Sequence, residues 1–512
     1  MNSLPYLLSL PIEVLHELLS HLDWRDLLNC CLVCRQLNTA VKTTSELLYS
    51  IELRKYGMID SGSSSVPHSE RLVLLRDRGH AWGKLEWKRI EKVDVNGGCI
   101  AYELVGGVFA KSSGRDLFFS WLPSSTRPGV TIHHEDIGLS LRDFAIDPTQ
   151  DLVVLLEEDT ILFQEDWSRN VWLRLRTMST LKPHPNAQKP DLLFQIRHIP
   201  SANRISSAFV QVGSDVLAVF LSLFNTPRLL MWNWKDGRLL CDLTEENIHD
   251  SSWDFELVSP RSFMITSYQD SGALLLYKFS YPRETWPVHV ATLHLPPLKA
   301  NHRVMSLASH SGPLLAGAPQ GTDFTTGPDS RIQVITAFYQ DRSPQFGHGG
   351  GTICCFFCVH SKTFQKYIEQ YERLEETWSE EEDGMSIEPI DVPWEQWGPK
   401  NTHFNIVRSP IHWLRYVQGE RVVCLPGFHD GEGIMQVWDF NALPRDEPLE
   451  RPVSTNPAMT GNLPFRDPVR TSLPYYSKRR IVGEAYKAFM IDEERVIGLK
   501  VGPFQVAQCT YC

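Results

Sequence analysis

The sequence predicts two parts, a small N-terminal helical domain and a long all-β domain of the β-propeller type. Apolar residues recur at helical spacing through the first 57 of the 512 residues. After about Val95, short apolar or alternating runs are separated by Gly, Pro, Asp and Asn, which is typical of strands and turns. Several of these runs recur at intervals of about 50 residues, the spacing of four-stranded propeller blades.

Four apolar rows indicate the helical domain, which we place at residues 4–57. Pro11 suits the first turn of a helix, because its missing N–H would have no partner there. Asp23 is a good cap for the second helix and Ser45 for the last one, which Gly57 would end. The rows are, in order, Ile12, Leu15, Leu18, Leu19 and Leu22; Leu27, Leu28, Cys31 and Leu32; Val33, Cys34, Leu37 and Val41; and Leu47, Leu48, Ile51 and Leu53.

A connecting segment, residues 58–95, is expected next. Ser61–Pro67 reads SGSSSVP and predicts a flexible break. A short helix over Glu70–Trp82 should follow it. The propeller would then occupy residues 96–512.

Five pairs of runs are predicted hairpins of the β domain. The first strands of the first three begin at 216, 263 and 314, and that of the fourth begins at 422. Thr352–His360 is expected to mark one further blade within the longest step. At this period the domain holds about seven or eight blades, with a pair of β-sandwiches as the alternative. The pairs are Val216–Leu221 with Leu229–Trp234, Phe263–Ser267 with Leu274–Phe279, Leu314–Ala316 with Ile332–Phe338, Val422–Leu425 with Met435–Phe440, and Val496–Val501 with Phe504–Tyr511.

The formal charge of −11 is concentrated in one stretch. Glu369–Glu395 holds eleven acids and one base, which leaves 50 acids and 49 bases elsewhere. We interpret residues 369–397 as an acidic insertion in the propeller. It is either a solvated loop or an arm that contacts a basic partner, with Trp378, Trp394 and Trp397 as anchors. This charge does not favour nucleic-acid binding.

The cysteine content and the hydropathy indicate a reduced compartment. Eleven cysteines, an odd number, do not suggest a disulfide framework. We see no signal peptide and no run of the roughly 18 apolar residues that a membrane span needs. The expected location is the cytoplasm, the nucleus or both, without a membrane partner.

The N-terminal rows also carry a family pattern. Ser9–Val41 resembles the F-box, and nearly every position of that family's pattern is filled at the right spacing. The family often has an aromatic residue two places after Val-Cys-Arg, where this chain has Leu37. Ser69–Trp87 and Met490–Val501 look like fungal F-box proteins in particular. The matching residues are Leu10-Pro11, Glu13, Val14-Leu15, Leu18-Leu19, Leu22, Asp26-Leu27-Leu28 and Val33-Cys34-Arg35.

The resemblance implies a three-helix F-box that binds the Skp-type adaptor of cullin–RING ubiquitin ligases. Three short helices cannot bury all their apolar faces on one another, and an exposed apolar surface is typical of an interaction site. The alternative is a helical subdomain that only packs on the propeller. The family's adaptor-facing positions correspond to Leu10, Pro11, Ile12, Leu15, Leu28, Val33, Cys34 and Leu37.

The motifs for bond chemistry are incomplete, so we expect no catalysis, no metal and no cofactor. His348–Gly351 matches the oxyanion loop of esterases, but the chain has no Gly-x-Ser-x-Gly nucleophile. Gly79–Lys84 is one residue short of a P-loop. Zinc would need four ligands brought together, and the Cys-x-x-Cys pairs are separate in sequence. These pairs are Cys31/Cys34, Cys355/Cys358 and Cys509/Cys512.

The sequence therefore favours a non-catalytic, substrate-recognition subunit of a Skp–cullin–F-box ubiquitin ligase, with the propeller holding the target protein. The alternatives are an interaction scaffold that acts without ubiquitin ligation, and a propeller-fold hydrolase. Basic side chains on the top face or in the central channel would suit a phosphorylated or acidic target. Arg174 and Arg176, which share one strand face, are candidates for that role.

Overall fold

The computed structural model confirms the predicted fold class, a helical domain followed by a β-propeller. The residues it describes are 6–510 without 63, 95–97, 125–126, 158–168, 197–204, 224–225, 245, 281–285, 344–350, 378–386, 408–414, 430–431, 442–462, 483–485, 487 and 500–504.

The N-terminal module contains four helices after a 3₁₀ turn, Tyr6–Ser9, rather than three. Asp23 caps the second helix as predicted, because its Oδ1 accepts hydrogen bonds from the N–H of Arg25 (2.7 Å) and of Asp26 (2.9 Å). The helices are α1 (Ile12–Ser20), α2 (Trp24–Val33), α3 (Arg35–Thr43) and α4 (Ser45–Lys55). Their shared core consists of Leu15, Leu19, Leu27, Leu37, Ala40, Val41 and Leu47.

The connecting segment is more ordered than its composition suggests. It contains the strand β1 (Met58–Asp60), the helix α5 (His68–Lys84) and the strand β2 (Arg89–Asp94). The helix extends the predicted Glu70–Trp82 at both ends. Ser61–Pro67 has no helix or strand among its described residues, but the Ser64 hydroxyl donates to Asp323 Oδ1 at 2.5 Å. Both strands join sheets of the β domain, so this segment is part of the propeller's structure.

The β domain is a ring of four-stranded antiparallel sheets. Six of them, the blades, each take their four strands from one continuous stretch of chain, and a seventh sheet combines β2 with the last three strands. The blades are β3 (Tyr102–Val105), β4 (Val108–Ser113), β5 (Asp116–Trp121), β6 (Val130–His134); β7 (Leu141–Asp147), β8 (Leu152–Glu157), β9 (Arg169–Thr177), β10 (Asp191–Ile196); β11 (Ile205–Gly213), β12 (Val216–Leu223), β13 (Thr226–Asn233), β14 (Arg238–Leu243); β15 (Ser252–Ser259), β16 (Ser262–Ser267), β17 (Ala273–Lys278), β18 (Val288–His294); β19 (His302–Ser311), β21 (Ile332–Asp341), β22 (Thr352–His360), β24 (Thr402–Val407); and β25 (Val417–Gln418), β26 (Arg421–His429), β27 (Glu432–Asp439), β28 (Tyr476–Ile481), with β20 (Phe324–Thr326) and β23 (Ile390–Val392) between strands of the fifth blade. The closing sheet has β29 (Ala488–Ile491), β30 (Arg495–Leu499) and β31 (Gln505–Thr510).

The ring closes by pairing the two ends of the β region. β2 pairs with β31 in an antiparallel register that sets Arg89 opposite Thr510. The first strand of each blade is the innermost and contacts the first strand of the next blade. Between the closing sheet and the first blade, Leu104 and Phe109 share an apolar cluster with Met490 and Ile497.

Four of the five predicted hairpins are found and one is wrong. The strand at Ile332 pairs with β19 and not with Leu314, which makes only an isolated bridge to Gly213. Between them lies a long loop, residues 312–331, that contains β20 and follows the inner strand. Thr352–His360 is the third strand of this same blade, so it does not mark a further blade. Apolar content alone could not show that Leu314 belongs to a loop and not to a strand.

The acidic insertion is folded over much of its length, so the predicted solvated loop is wrong, whereas contact with a basic partner stays a prediction. α6 (Ser361–Thr377) buries Phe364, Tyr367, Ile368 and Tyr371 at helical spacing. β23 adds a fifth, parallel strand to the fourth blade, and α7 (Trp394–Asn401) follows it. Trp394 and Trp397 are buried, and Trp397 Nε1 donates to the His294 carbonyl at 2.8 Å, so these two are core residues. Trp378 lies outside the described residues.

Among the helices in the described ranges, none has the length and apolar character that crossing a membrane requires.

Candidate docking site

The first two helices of the N-terminal module carry an exposed aliphatic surface. Leu32 is 86% exposed and Val33 is 72% exposed, although both belong to a helix of a well-packed module. We call this surface the aliphatic face; its members are Ile12, Val14 and Leu18 of α1 and Leu28, Leu32 and Val33 of α2. Full burial of one aliphatic side chain is favourable by roughly 1.5–3 kcal/mol relative to exposure in water. Six such side chains exposed together are therefore typical of a surface that binds a partner.

The predicted contact residues divide into three groups in the structure. Pro11, Ile12, Leu28 and Val33 are exposed, and Leu10 and Cys34 are half-buried. Leu15 and Leu37 are 1% and 4% exposed, so they belong to the module's core and support the aliphatic face from beneath. Their assignment as direct contacts needs correction, because a partner cannot reach them without disrupting that core.

Sequence reasoning missed Val14, Leu18 and Leu32 as surface residues. Leu18 and Leu32 were placed in the helical rows, where apolar residues are expected to be buried. The sequence signal for such exposed residues was a helix with apolar residues on more than one side, since only one side can face the module's core. In α2, Leu27 is buried while Leu28, Leu32 and Val33 are exposed, so the helix has apolar side chains on both its inner and its outer side.

The other side of the module is fixed to the propeller through α4. Tyr49 and Leu53 of α4 pack with Leu72 and Leu75 of α5 and with Phe324 of β20. The Tyr49 hydroxyl donates to the Asp323 carbonyl at 3.3 Å, and β1 pairs with β20. The module is therefore joined to the propeller by packing and by a two-stranded sheet, and no described residue covers the aliphatic face on α1 and α2.

The connecting helix α5 strengthens this joint. Arg78 forms an ion pair of 2.6 Å with Glu494 and lies over the Phe324 ring at 4.4 Å. Burial would raise the pKa of Glu494, but Arg78 and Arg495 outweigh it and lower that pKa. Trp82 is buried, its Nε1 donates to the Glu493 carbonyl at 3.2 Å, and the Arg421 guanidinium covers its ring at 4.7 Å. The fifth and sixth blades and the closing sheet thus all contribute contacts that hold α5.

Residues 7–54 match the F-box-like family. The N-terminal module is an F-box-like domain. The match covers the module alone, so the similarity of Ser69–Trp87 and Met490–Val501 to fungal F-box proteins stays a prediction. No curated protein matches the chain.

Many solved structures resemble the propeller at low sequence identity. BamB from Moraxella catarrhalis is 8% identical, with 83% of this chain and 99% of that chain covered and a TM-score of 0.34. The Nup82–Nup159–Nup145N complex of Chaetomium thermophilum is 8% identical, with 81% and 95% covered and a TM-score of 0.34. The WD40 propeller domain of Doa1 is 12% identical, with 54% and 83% covered and a TM-score of 0.26. The propeller assignment rests on the strand topology.

The central channel of the propeller contains buried charges that the sequence did not place. Arg415 pairs with Glu103 of the first blade at 2.7 Å, and its backbone has a φ of 66°, in the left-handed region. Arg331 donates to the Ser311 hydroxyl at 2.6 Å and lies 3.7 Å from Glu256. Asp143 and Asp254 lie near these groups, and burial raises the pKa of each to about 7.

The remaining predicted candidates have structural partners. Arg174 pairs with Glu157 at 2.9 Å and Arg176 with Asp191 at 2.7 Å, on the third strand of the second blade and away from the inner strands. Gly79–Lys84 is part of α5. Cys355 packs in one apolar cluster and Cys354 and Cys358 in another, on opposite faces of β22. Among the described residues, no three potential ligands are grouped to hold a metal. Residues 348–350 and Cys512 lie outside the described ranges.

A cleft of about 980 Å³ separates the F-box-like domain from the propeller beside α6. Arg25 and Arg54 line it from the domain, and Lys362 and Lys366 line it from α6. Glu420 also lines it, and burial, together with the charge of Asp439, raises the pKa of Glu420 to about 7. The mixture of cations and carboxylates gives the cleft no clear preference for one sign of charge.

Proposed function

We propose that this protein is the substrate-recognition subunit of a Skp–cullin–F-box ubiquitin ligase, acting in the cytoplasm or the nucleus. One observation carries the proposal: the F-box-like domain keeps an uncovered aliphatic face on α1 and α2 while its opposite side is fixed to the propeller. We infer that the Skp-type adaptor covers this face and connects the chain to the cullin.

The mechanism that fits this arrangement is proximity. A receptor that holds a target beside the ubiquitin-charged enzyme raises the local concentration of the target lysines and performs no bond chemistry itself. Such a receptor needs a fixed distance between its two binding ends. The packing of α4 and α5 against β20 and the Arg78–Glu494 pair support a fixed distance.

Co-expression with a Skp-type adaptor and a cullin tests the proposal. We expect the chain to co-purify with both, and the double variant Leu32→Asp/Val33→Asp to lose the adaptor. Leu193→Asp is the control for an added aspartate, because it places a single negative charge on an exposed leucine of the propeller strand β10. Failure of the wild-type chain to bind the adaptor would refute the proposal.

Ubiquitin ligation separates a receptor from a scaffold. Reconstitution with a neddylated cullin, a RING protein and a charged conjugating enzyme, followed by mapping of ubiquitin remnants in cells with and without the chain, should reveal targets that lose ubiquitin on deletion. Adaptor binding without any such target would favour the scaffold.

A further inference from the structure

The inner strands of five consecutive blades carry a β-bulge near their first residues. In the first blade, Ser112 faces two residues at once, since its carbonyl accepts from the Ile100 N–H and its N–H donates to the Ala101 carbonyl, each at 2.9 Å. In the next four blades the register skips one residue at the corresponding place. A bulge redirects a side chain out of the ladder. The bulged residues are Ile100, Arg142, Ser206, Trp253 and Met305.

Three of these bulged side chains are apolar and exposed. Ile100 is 59% exposed, Trp253 45% and Met305 40%. Phe209 is also exposed. It lies in β11 three residues after the bulge, which is the position that Glu256 occupies in β15. We call Ile100, Trp253 and Met305 the apolar rim; Phe209 lies further along its strand than the rim residues do. The rim residues lie at the beginnings of the inner strands. The F-box-like domain packs on β20, which lies in the loop after the end of β19. The rim is therefore at the opposite opening of the channel.

Carboxylates lie directly below the apolar rim. Asp143 and Asp254 each follow a bulged residue by one position. Asp254 accepts hydrogen bonds from the N–H of Phe255 (2.8 Å) and of Ser309 (2.9 Å), and neither carboxylate forms an ion pair with any described residue. The Ser252 hydroxyl, next to Trp253, is buried and has no hydrogen-bond partner in the described part of the chain.

The channel therefore has more acid than base. Four buried carboxylates face two arginines, Arg331 and Arg415, which are already paired with Glu256 and Glu103. His310 adds no charge near neutral pH, because burial and the nearby Arg415 lower its pKa to about 4. Asp254 and Asp143 form no salt bridge with a described residue, although the charge of Arg415 acts on Asp143, and each lies one position after a bulged residue. A buried carboxylate is strongly stabilised by a cation brought beside it.

We propose that the apolar rim and the two carboxylates below it dock a segment of the target protein in which a lysine or arginine stands beside apolar residues. The apolar residues of the segment would pack on Trp253, Met305 and Phe209, and the cation would reach Asp254, the carboxylate that follows Trp253. The proposal rests on the receptor function above, since the segment belongs to the protein that the receptor captures. It replaces the acidic or phosphorylated target that the sequence suggested, because the paired Arg174 and Arg176 do not lie at the channel.

Selection of displayed random heptapeptides on the purified full-length chain tests this proposal. We expect enrichment of peptides with a lysine or arginine next to apolar residues. A selected peptide should bind about tenfold more weakly to Trp253→Ala and to Asp254→Asn, which is the effect of truncating a central contact. Replacing its basic residue by citrulline should have a comparable effect. Trp286→Ala is the control, since Trp286 is 64% exposed and lies before β18, outside the inner strands.

Several outcomes would overturn the proposal. These are no enrichment, enrichment of acidic or phosphate-bearing peptides, and equal binding to Trp253→Ala and Trp286→Ala. Adaptor binding is measured on the same preparations: variants that bind the adaptor normally are folded, so their loss of peptide is a local effect. A chain that binds the adaptor but selects no basic peptide contradicts only this inference, whereas a chain that fails to bind the adaptor contradicts the receptor function.

Discussion

The aliphatic face and the apolar rim both expose apolar side chains, but what lies beneath them differs. Under the aliphatic face are Leu15, Leu19 and Leu27, an uncharged core. Under the apolar rim are Asp143 and Asp254, carboxylates without an ion-pair partner among the described residues. The first surface is suited to a partner chosen by shape and apolar area, and the second to a partner that also brings positive charge.

The largest effect is expected in the channel below the rim. Arg415→Met leaves Glu103 buried without its cation, and breaking a buried pair costs about 3–5 kcal/mol. Arg174→Met breaks a more exposed pair and should cost less than about 1 kcal/mol. Urea unfolding followed by fluorescence measures both. Equal losses would mean that the Arg415 network contributes no special stability.

A smaller difference in the free energy of unfolding is expected between variants of the aliphatic face and variants of the core beneath it. Leu15→Ala opens a cavity in the module and should cost about 2–5 kcal/mol. Leu32→Ala removes a side chain that is mostly in water and should stay within about 0.5 kcal/mol. Thermal unfolding of the full chain gives the comparison. A strongly destabilised Leu32→Ala would show that this residue is part of the fold and not reserved for a partner.

The pH dependence of stability should depend on the carboxylates under the rim. Burial raises the pKa of Asp254 to about 7, and the charge of Glu256, which faces it, acts in the same direction. Burial also raises the pKa of Asp143 to about 7; Glu103, which faces it, adds to the rise and Arg415 opposes it. Between about pH 4 and 7 these two groups keep protons in the folded chain that they have lost in the unfolded chain, so their contribution to the free energy of unfolding falls as pH rises. Asp254→Asn should make this fall shallower in urea titrations at about pH 5 and pH 7.5. An unchanged slope would mean that Asp254 is ionised throughout.

The smallest expected difference is in salt dependence. Adaptor binding to the aliphatic face should change less than about twofold between about 50 and 500 mM salt, because the six side chains of that face carry no charge. Binding of a basic peptide at the apolar rim should weaken several-fold over the same range. Calorimetry at both concentrations provides the test. Salt-sensitive adaptor binding would remove the distinction between the two surfaces.

The sequence was enough to predict the parts of this molecule that depend on local pattern. Helical spacing and the Asp23 cap located α1 to α4, and alternating runs located four of five hairpins. Burial depended on packing that the pattern does not contain. Leu15 and Leu32 are both leucines of amphipathic rows, and only the packed structure shows that one supports the aliphatic face and the other forms it.

Long-range placement could not be predicted for the same reason. Trp394 and Trp397 follow an acidic stretch and were interpreted as anchors for a partner, yet they pack against the fourth blade because β23 pairs with β18. Asp143 and Asp254 are 111 positions apart, and nothing local indicates that both follow a bulge at the same level of the channel. A blade-by-blade alignment of the inner strands would have been needed to find them.

Binding of the Skp-type adaptor to the full-length chain tests the central claim most directly. Titration of the adaptor into the wild type, the Leu32→Asp/Val33→Asp variant and the Leu193→Asp control should give equal affinities for wild type and control. The account predicts at least about a hundredfold loss for the double variant, with its melting temperature unchanged. Undiminished binding of the double variant, or no binding by the wild type, would contradict it.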